Sequence, residues 1–233
     1  MDPLKLGLVR RDRPESERGA ALVISLMAVL LLAALGSALV ITTAAETRIA
    51  GSFRDAQEAL YAADAAIELA LQELMAASDW NGILAGTKKS AFANGPPDQS
   101  ISLPDGSILD LAQATNTANC GKTASCTDAE MDATTPERPW GRNNPRWVLY
   151  AYGWTKDMVL TGTINSDSYV SVWVGDDPSE NDNDPTKDGN TPTNPGSGVL
   201  ALRAQAYGPA SSRKVIELTI ARTIRIRSWR EVR

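Results

Sequence analysis

The sequence predicts an α+β fold: a long N-terminal α-helix packed on an antiparallel β-sheet of about four strands. Three observations predict it. Residues 20–41 form a run of 22 without a charge. Helical patterning continues from Ala44 to Ala77 with no proline and with Gly51 as its one glycine. Beyond residue 146 the chain changes to β-branched and aromatic runs bounded by Gly, Pro and Asp, the composition of strands and turns.

In chain order, residues 1–19 are a charged leader. They carry Lys5, Arg10, Arg11, Arg13 and Arg18, whereas residues 42–60 carry Arg48 and Arg54. The excess of basic residues places the leader in the cytoplasm and residue 42 onward across the membrane. The uncharged run, at about 1.5 Å per residue, spans roughly 33 Å, enough to cross a hydrocarbon core. It is longer than the roughly 7–15 apolar residues of a secretory signal, and no clean cleavage site follows it. Residues 42–78 read as an amphipathic continuation. Ala56, Ala59, Leu60, Ala63, Ala66, Ile67, Ala70, Leu71 and Leu74 recur at helical spacing, with Asp55, Glu58, Asp64, Glu68 and Gln72 opposite. Ser52 and Asp55 after Gly51 resemble a capping box, so a break or bend is expected near 50–53. The small-residue face predicts close packing against a sheet or another helix.

Residues 79–233 are expected to form the globular part, with an irregular insert over 85–146 rich in Gly, Pro, Asn, Ser and Thr. Within it, Pro104-Asp105-Gly106-Ser107 reads as a turn between two short strands. Cys120 and Cys126 also fall there. Outside the cytoplasm their natural state is a disulfide, a local staple worth ~2 kcal/mol. Four strand-like runs follow, at 147–154, 168–174, 199–207 and 214–226. In the last, Ile216, Leu218, Ile220, Ile224 and Ile226 share one face, with Arg222 the exception. Tyr207 to Ser212 fits the loop of a hairpin joining the last two runs.

The second and third runs are separated by an acidic loop holding Asp176, Asp177, Glu180, Asp182, Asp184 and Asp188. Crowded carboxylates on a flexible loop suit calcium, with Asp176, Asp177, Asp182, Asp184 and Asp188 as candidate ligands. The spacing is not that of an EF-hand, and a solvated acidic loop is the alternative.

Composition closes off several functions. The 233 residues carry 28 acidic against 23 basic side chains, a net charge of −5, and no histidine. Without a long basic run, nucleic acid is not an expected partner. Without histidine, the commonest general base and metal ligand is missing, and no enzyme activity is expected. The apolar content of 43% and charged content of 22% are those of a folded chain.

Arg18-Gly19-Ala20-Ala21-Leu22-Val23-Ile24-Ser25-Leu26 resembles the class III, prepilin-type signal. Ala50-Gly51-Ser52-Phe53-Arg54-Asp55, followed by the small and acidic residues from Glu58 to Ala66, is similar to the helix of PilX-type minor pilins of type IV pili. The resemblance covers about residues 17–75, with a less specific likeness in the C-terminal sheet. It implies the pilin fold and cleavage by a prepilin peptidase between Gly19 and Ala20. Ala20 would become the methylated mature N-terminus, and residues 20–41 would be stored in the inner membrane and later buried in a filament core. It further implies a single-pass precursor with a periplasmic C-terminal domain that moves to the pilus and the cell surface. Its partners would be the major pilin, other minor pilins and a tip adhesin.

One position departs from the pilin pattern. The fifth mature residue, a glutamate in most pilins, is Ile24 here. Within the resemblance, loss of that glutamate accompanies tip or initiating subunits, so a position at or near the tip that promotes assembly is expected. The alternative is that Ile24 is simply a better membrane residue. Two other functions stay open at this point: a minor pseudopilin of a type II secretion system, and a membrane-anchored extracytoplasmic binding domain that joins no filament.

Overall fold

The computed structural model describes residues 16–158, 164–189, 196–222 and 225–232. Most of the predicted leader therefore lies outside the described residues, as does Ile224. The chain divides into two units, residues 1–51 and 52–233.

Helix α1 (Ser16–Ala76) runs through both stretches predicted to be helical, with no interruption at 50–53. The residues from Gly19 to Gly51 are exposed throughout. In the second unit the helix buries Ala59, Ala62, Ala63, Ala66, Ile67, Ala70 and Leu74. Five of these seven are alanine, which lets the helix backbone lie close to a flat surface. Past its end, Trp80 folds back and its indole N–H donates to the Leu74 carbonyl at 2.9 Å, satisfying an acceptor of the last turn. Helix α2 (Asn81–Leu84) follows and buries Ile83 and Leu84.

The flat surface is a five-stranded meander. Strands β3 (Val148–Trp154), β4 (Tyr169–Asp176), β5 (Val199–Tyr207), β6 (Arg213–Ala221) and β7 (Arg225–Val232) pair in chain order, every pair antiparallel. Before them come a hairpin, β1 (Ser100–Ser102) and β2 (Ile108–Asp110), and two short helices, α3 (Leu111–Cys120) and α4 (Asp128–Met131).

The sheet matches the expected one of about four strands, with a fifth because the run 214–226 is not one strand. It ends at Ala221, and a separate edge strand begins at Arg225. Ile216, Leu218 and Ile220 are buried, as their alternation predicts, but Ile226 is exposed. Strand β7 carries Arg227, Arg230 and Glu231, and charged side chains on an edge discourage pairing with a further strand. Its Arg230 pairs with Glu217, and its Glu231 pairs with Lys214 on the neighbouring strand.

Both faces of the sheet are covered. Val170, Val172 and Val174 of β4, Leu200, Leu202, Ala204 and Ala206 of β5, and the β6 isoleucines share one apolar cluster with the alanine face of α1. Alternate residues Tyr169, Trp173, Ala201 and Tyr207 point the other way and pack with Leu103, Leu109 and Leu111. A bulge between Leu149 and Ala151 of β3 shifts its register. It leaves Tyr150 and Ala151 in the first cluster and Leu149 and Tyr152 in the second.

The second layer comes from residues 85–146, the stretch read from the sequence as irregular. Helix α3 is started by Asp110, whose carboxylate accepts from the Gln113 N–H at 2.9 Å. It is ended by Gly121 at φ 74°, a conformation that glycine adopts at little cost. Asn119 then makes a two-way bond with the backbone of Trp147 (2.9 and 2.7 Å), and the Trp173 indole donates to Thr115 at 2.9 Å. Arg138 clasps the rest by donating to the carbonyls of Ala118, Met131 and Pro145. Its burial pulls the guanidinium down to about 10.

Candidate functional site

Two places hold the residues singled out by chemistry: the exposed apolar part of α1 and the carboxylates at one end of the sheet.

In the first, the side chains from Leu22 to Ile41 make a helix surface that is apolar on every side. Its large hydrophobic residues are roughly half to two-thirds exposed, with Ile24 at 68%. The few hydroxyls are turned inward. Ser25 donates to the Leu22 carbonyl, Ser37 to Ala33 and Ala34, Thr42 to Ala38 and Thr43 to Leu39, all at 2.8–3.0 Å. Such back-bonding satisfies each hydroxyl within the helix, so it can enter hydrocarbon without an unpaired donor. This is the one helix among the described residues long and apolar enough to cross a membrane.

Gly19 and Ala20 sit on this helix and are exposed. A Cβ added at Gly19 meets no atom within 4 Å, and the same holds at Gly36 and Gly51. A glycine inside a helix costs about 1 kcal/mol relative to alanine. The fold of this chain therefore places no steric demand for glycine at position 19.

Residues 18–68 match the PilX N-terminal family model. The matched segment lies wholly within α1 and ends before the sheet begins. No curated protein and no solved structure matches the chain. The chain thus carries a segment similar to PilX N-termini, and the helix that contains it is consistent with a membrane anchor.

At the sheet end, the acidic loop between β4 and β5 sorts its carboxylates into two groups. Three of the predicted residues serve local turns. Asp177 accepts from the Ser179 N–H and hydroxyl, at 3.2 and 2.6 Å. Asp182 accepts from the Asp184 N–H at 3.0 Å. Asp184 accepts from Thr186 and Lys187. The other two, Asp176 and Asp188, come together with Glu180, which was not among the candidate ligands. One carboxylate oxygen from each of the three lies within 4.8 Å of the others, and all three residues are buried.

One member of this trio comes from a strand and two from the loop that follows it. Asp176 is the last residue of β4. The Asp188 carboxylate accepts from the Gly198 N–H at 2.7 Å and from Arg222 at 3.2 Å, while the Asp188 N–H donates to Asn81 of α2 at 2.9 Å. The Glu180 carboxylate accepts from the Gly189 N–H. Arg222 is itself held over the Trp80 ring, 4.2 Å from its centroid, and donates to the Ser78 carbonyl. Burial, and next the charge of Glu180, push the Asp176 carboxyl up to about 9. Residues 190–195 of the same loop lie outside the described residues.

The cysteine pair is a disulfide between Cys120 and Cys126, with Cα atoms 6.0 Å apart. It closes the loop between the end of α3 and α4. The capping box of α4 stands beside it: Thr127 accepts from the Glu130 N–H, and Glu130 accepts from the Thr127 N–H. No catalytic constellation accompanies these features in the described residues.

Proposed function

We propose that this chain is a minor pilin of a type IV pilus, with a structural and not an enzymatic role. It is cleaved after Gly19, stored in the inner membrane through residues 20–41, and then assembled at or near the pilus tip, where it promotes pilus assembly. The observation that carries this reading is the exposed, all-round apolar helix directly after Gly19, in a segment that matches PilX N-termini. A helix apolar on every side has no stable place in water. A bilayer solvates it first, and the packed helices of neighbouring subunits replace the lipid during assembly. The freedom around Gly19 supports cleavage there, because the fold gives this glycine no packing role, while a peptidase that must admit an unbranched residue would use it. The partners on this reading are the prepilin peptidase, the major pilin, other minor pilins and a tip adhesin.

Ile24 supports the tip position. Other pilins offer a carboxylate at the fifth mature position to the amine of a neighbour, and an isoleucine cannot make that pair. A subunit at the tip has no neighbour above it that would need one.

Mass spectrometry of the cellular protein tests the processing: the mature chain should begin at a methylated Ala20, and Gly19→Leu should keep its leader and stay out of pili. An intact leader on the wild-type chain in cells with active prepilin peptidase overturns the pilin reading. Immunogold labelling tests position: label is expected at pilus ends, and evenly spaced label along shafts overturns the tip assignment. Deletion should reduce or abolish piliation.

A further inference from the structure

The carboxylates of Asp176, Glu180 and Asp188 are crowded together at the sheet end, each residue about 97% buried, and the Arg222 guanidinium reaches Asp188. Carboxylates this close and this buried cannot all be ionised unless a cation shares the site, and without one a proton is held instead. A second observation is independent of this crowding. The Asp176 Oδ1 atom is fully buried and has no hydrogen-bond partner. Most buried side-chain polar atoms find a partner, and a carboxylate oxygen without one, beside two other acids, is placed to take a cation.

The geometry points to a calcium ion held by Asp176, Glu180 and Asp188. Their nearest oxygens lie within 4.8 Å of one another, the span of two oxygens on opposite sides of a calcium ion at about 2.3–2.6 Å. The donors are all hard oxygens, with no sulfur or imidazole to favour zinc or copper. Magnesium prefers a tighter octahedron and keeps several of its waters, which a buried trio of carboxylates accommodates poorly. Hydrogen bonds already orient two of the ligands: Gly198 and Arg222 on Asp188, and Gly189 on Glu180. The ion would tie the end of β4 to the loop leading into β5. Through Asp188, Asn81 and Arg222, it would also brace the turn that follows α1.

The test uses the full chain in detergent, stripped with a chelator and then titrated with calcium chloride alone. Saturable binding of a single ion is expected, with a dissociation constant of about 10⁻⁵–10⁻³ M, together with a rise in thermal midpoint. Magnesium chloride at the same concentration should not reproduce the rise. Asp176→Asn should weaken calcium binding at least about tenfold and raise the midpoint of the calcium-free protein, because it removes one of three crowded acids. Asp184→Asn, on the exposed part of the same loop, should bind as the wild type does. If Asp176→Asn does not fold, Glu180→Gln provides the same comparison. Absence of saturable binding up to about 10 mM calcium in the folded wild type overturns the site. So does calcium binding retained by a folded Asp176→Asn or Glu180→Gln, or lost in Asp184→Asn. A midpoint rise from magnesium as large as that from calcium overturns the assignment of the ion.

Discussion

Leu30 and Leu74 stand in the same helix, yet Leu30 is 61% exposed and Leu74 is completely buried. The difference lies in what surrounds each stretch, not in the helix. Around Leu74 the chain supplies its own partners, a sheet face of valine, leucine and isoleucine, and the helix meets it with alanines. Around Leu30 the described chain supplies none, and the residues are large and apolar on all sides. A helix that carries its partner needs one apolar stripe. A helix whose partner is a bilayer or a set of other subunits needs an apolar surface all round. The composition of each half therefore states where its free energy of burial comes from.

The largest expected effect breaks this contrast at the two leucines themselves. Leu74→Ala leaves a cavity under the sheet and should lower the stability of the globular unit by about 2–5 kcal/mol. Leu30→Ala should not change it measurably. All six tryptophans lie between Trp80 and Trp229, so their fluorescence during denaturant unfolding of the solubilised full chain reports the globular unit alone. Equal destabilisation by the two variants would show that the halves do not draw on separate partners.

A charge sharpens the contrast from the other side. Leu30→Arg puts a guanidinium near the middle of the apolar run, where insertion costs roughly 2.5–3.5 kcal/mol. Retention of the chain in the membrane fraction after carbonate washing should fall several-fold, while the unfolding midpoint read by tryptophan stays that of the wild type. Full retention of the arginine variant would argue that the first half of α1 is not held by hydrocarbon.

The same logic explains what could be read from the sequence. The long helix, the β1–β2 hairpin and strands β3 to β6 are specified by local patterns of burial and by turn residues, so periodicity finds them. Strand β7 was hidden because Ile224 and Ile226 continue the alternation of β6 in the sequence, and alternation carries no information about where a strand turns back. Helix α3 was hidden because Thr115, Thr117, Asn116 and Asn119 are weak helix formers. It is held instead by long-range partners, Trp173 on Thr115 and Trp147 on Asn119. The acidic loop shows both cases. Asp177-Pro178-Ser179 and Asp184-Pro185-Thr186 have the spacing of a carboxylate that bonds two residues onward, a local signal that sets those two apart. That Glu180 joins Asp176 and Asp188 depends on the path of the loop, and no spacing in the sequence encodes it.

Acid separates the two halves of the molecule in a third and smaller way. Residues 20–41 contain no ionisable side chain, whereas two loops of the globular unit are held by carboxylates. The Asp105 carboxyl is lowered from 3.8 to about 2, first by the hydroxyl of Ser107 and then by that of Ser211, linking the β1–β2 turn to the β5–β6 turn. The Glu130 carboxyl is lowered from 4.5 to about 2, first by Lys122 and then by the Thr127 N–H of its capping box. A carboxyl whose folded pKa is depressed stabilises the fold above its unfolded pKa, and that contribution is lost as pH falls through the folded value. Amide exchange, corrected for intrinsic rates, should therefore rise around residues 103–107 and 127–131 as pH falls from about 4.5 to about 2. Exchange across 20–41 should not change. Glu130→Gln should remove the pH dependence around 127–131 and leave that around 103–107 in place. Protection that is flat with pH at both loops, or a parallel change in the apolar helix, would show that these carboxylates are not what holds the loops.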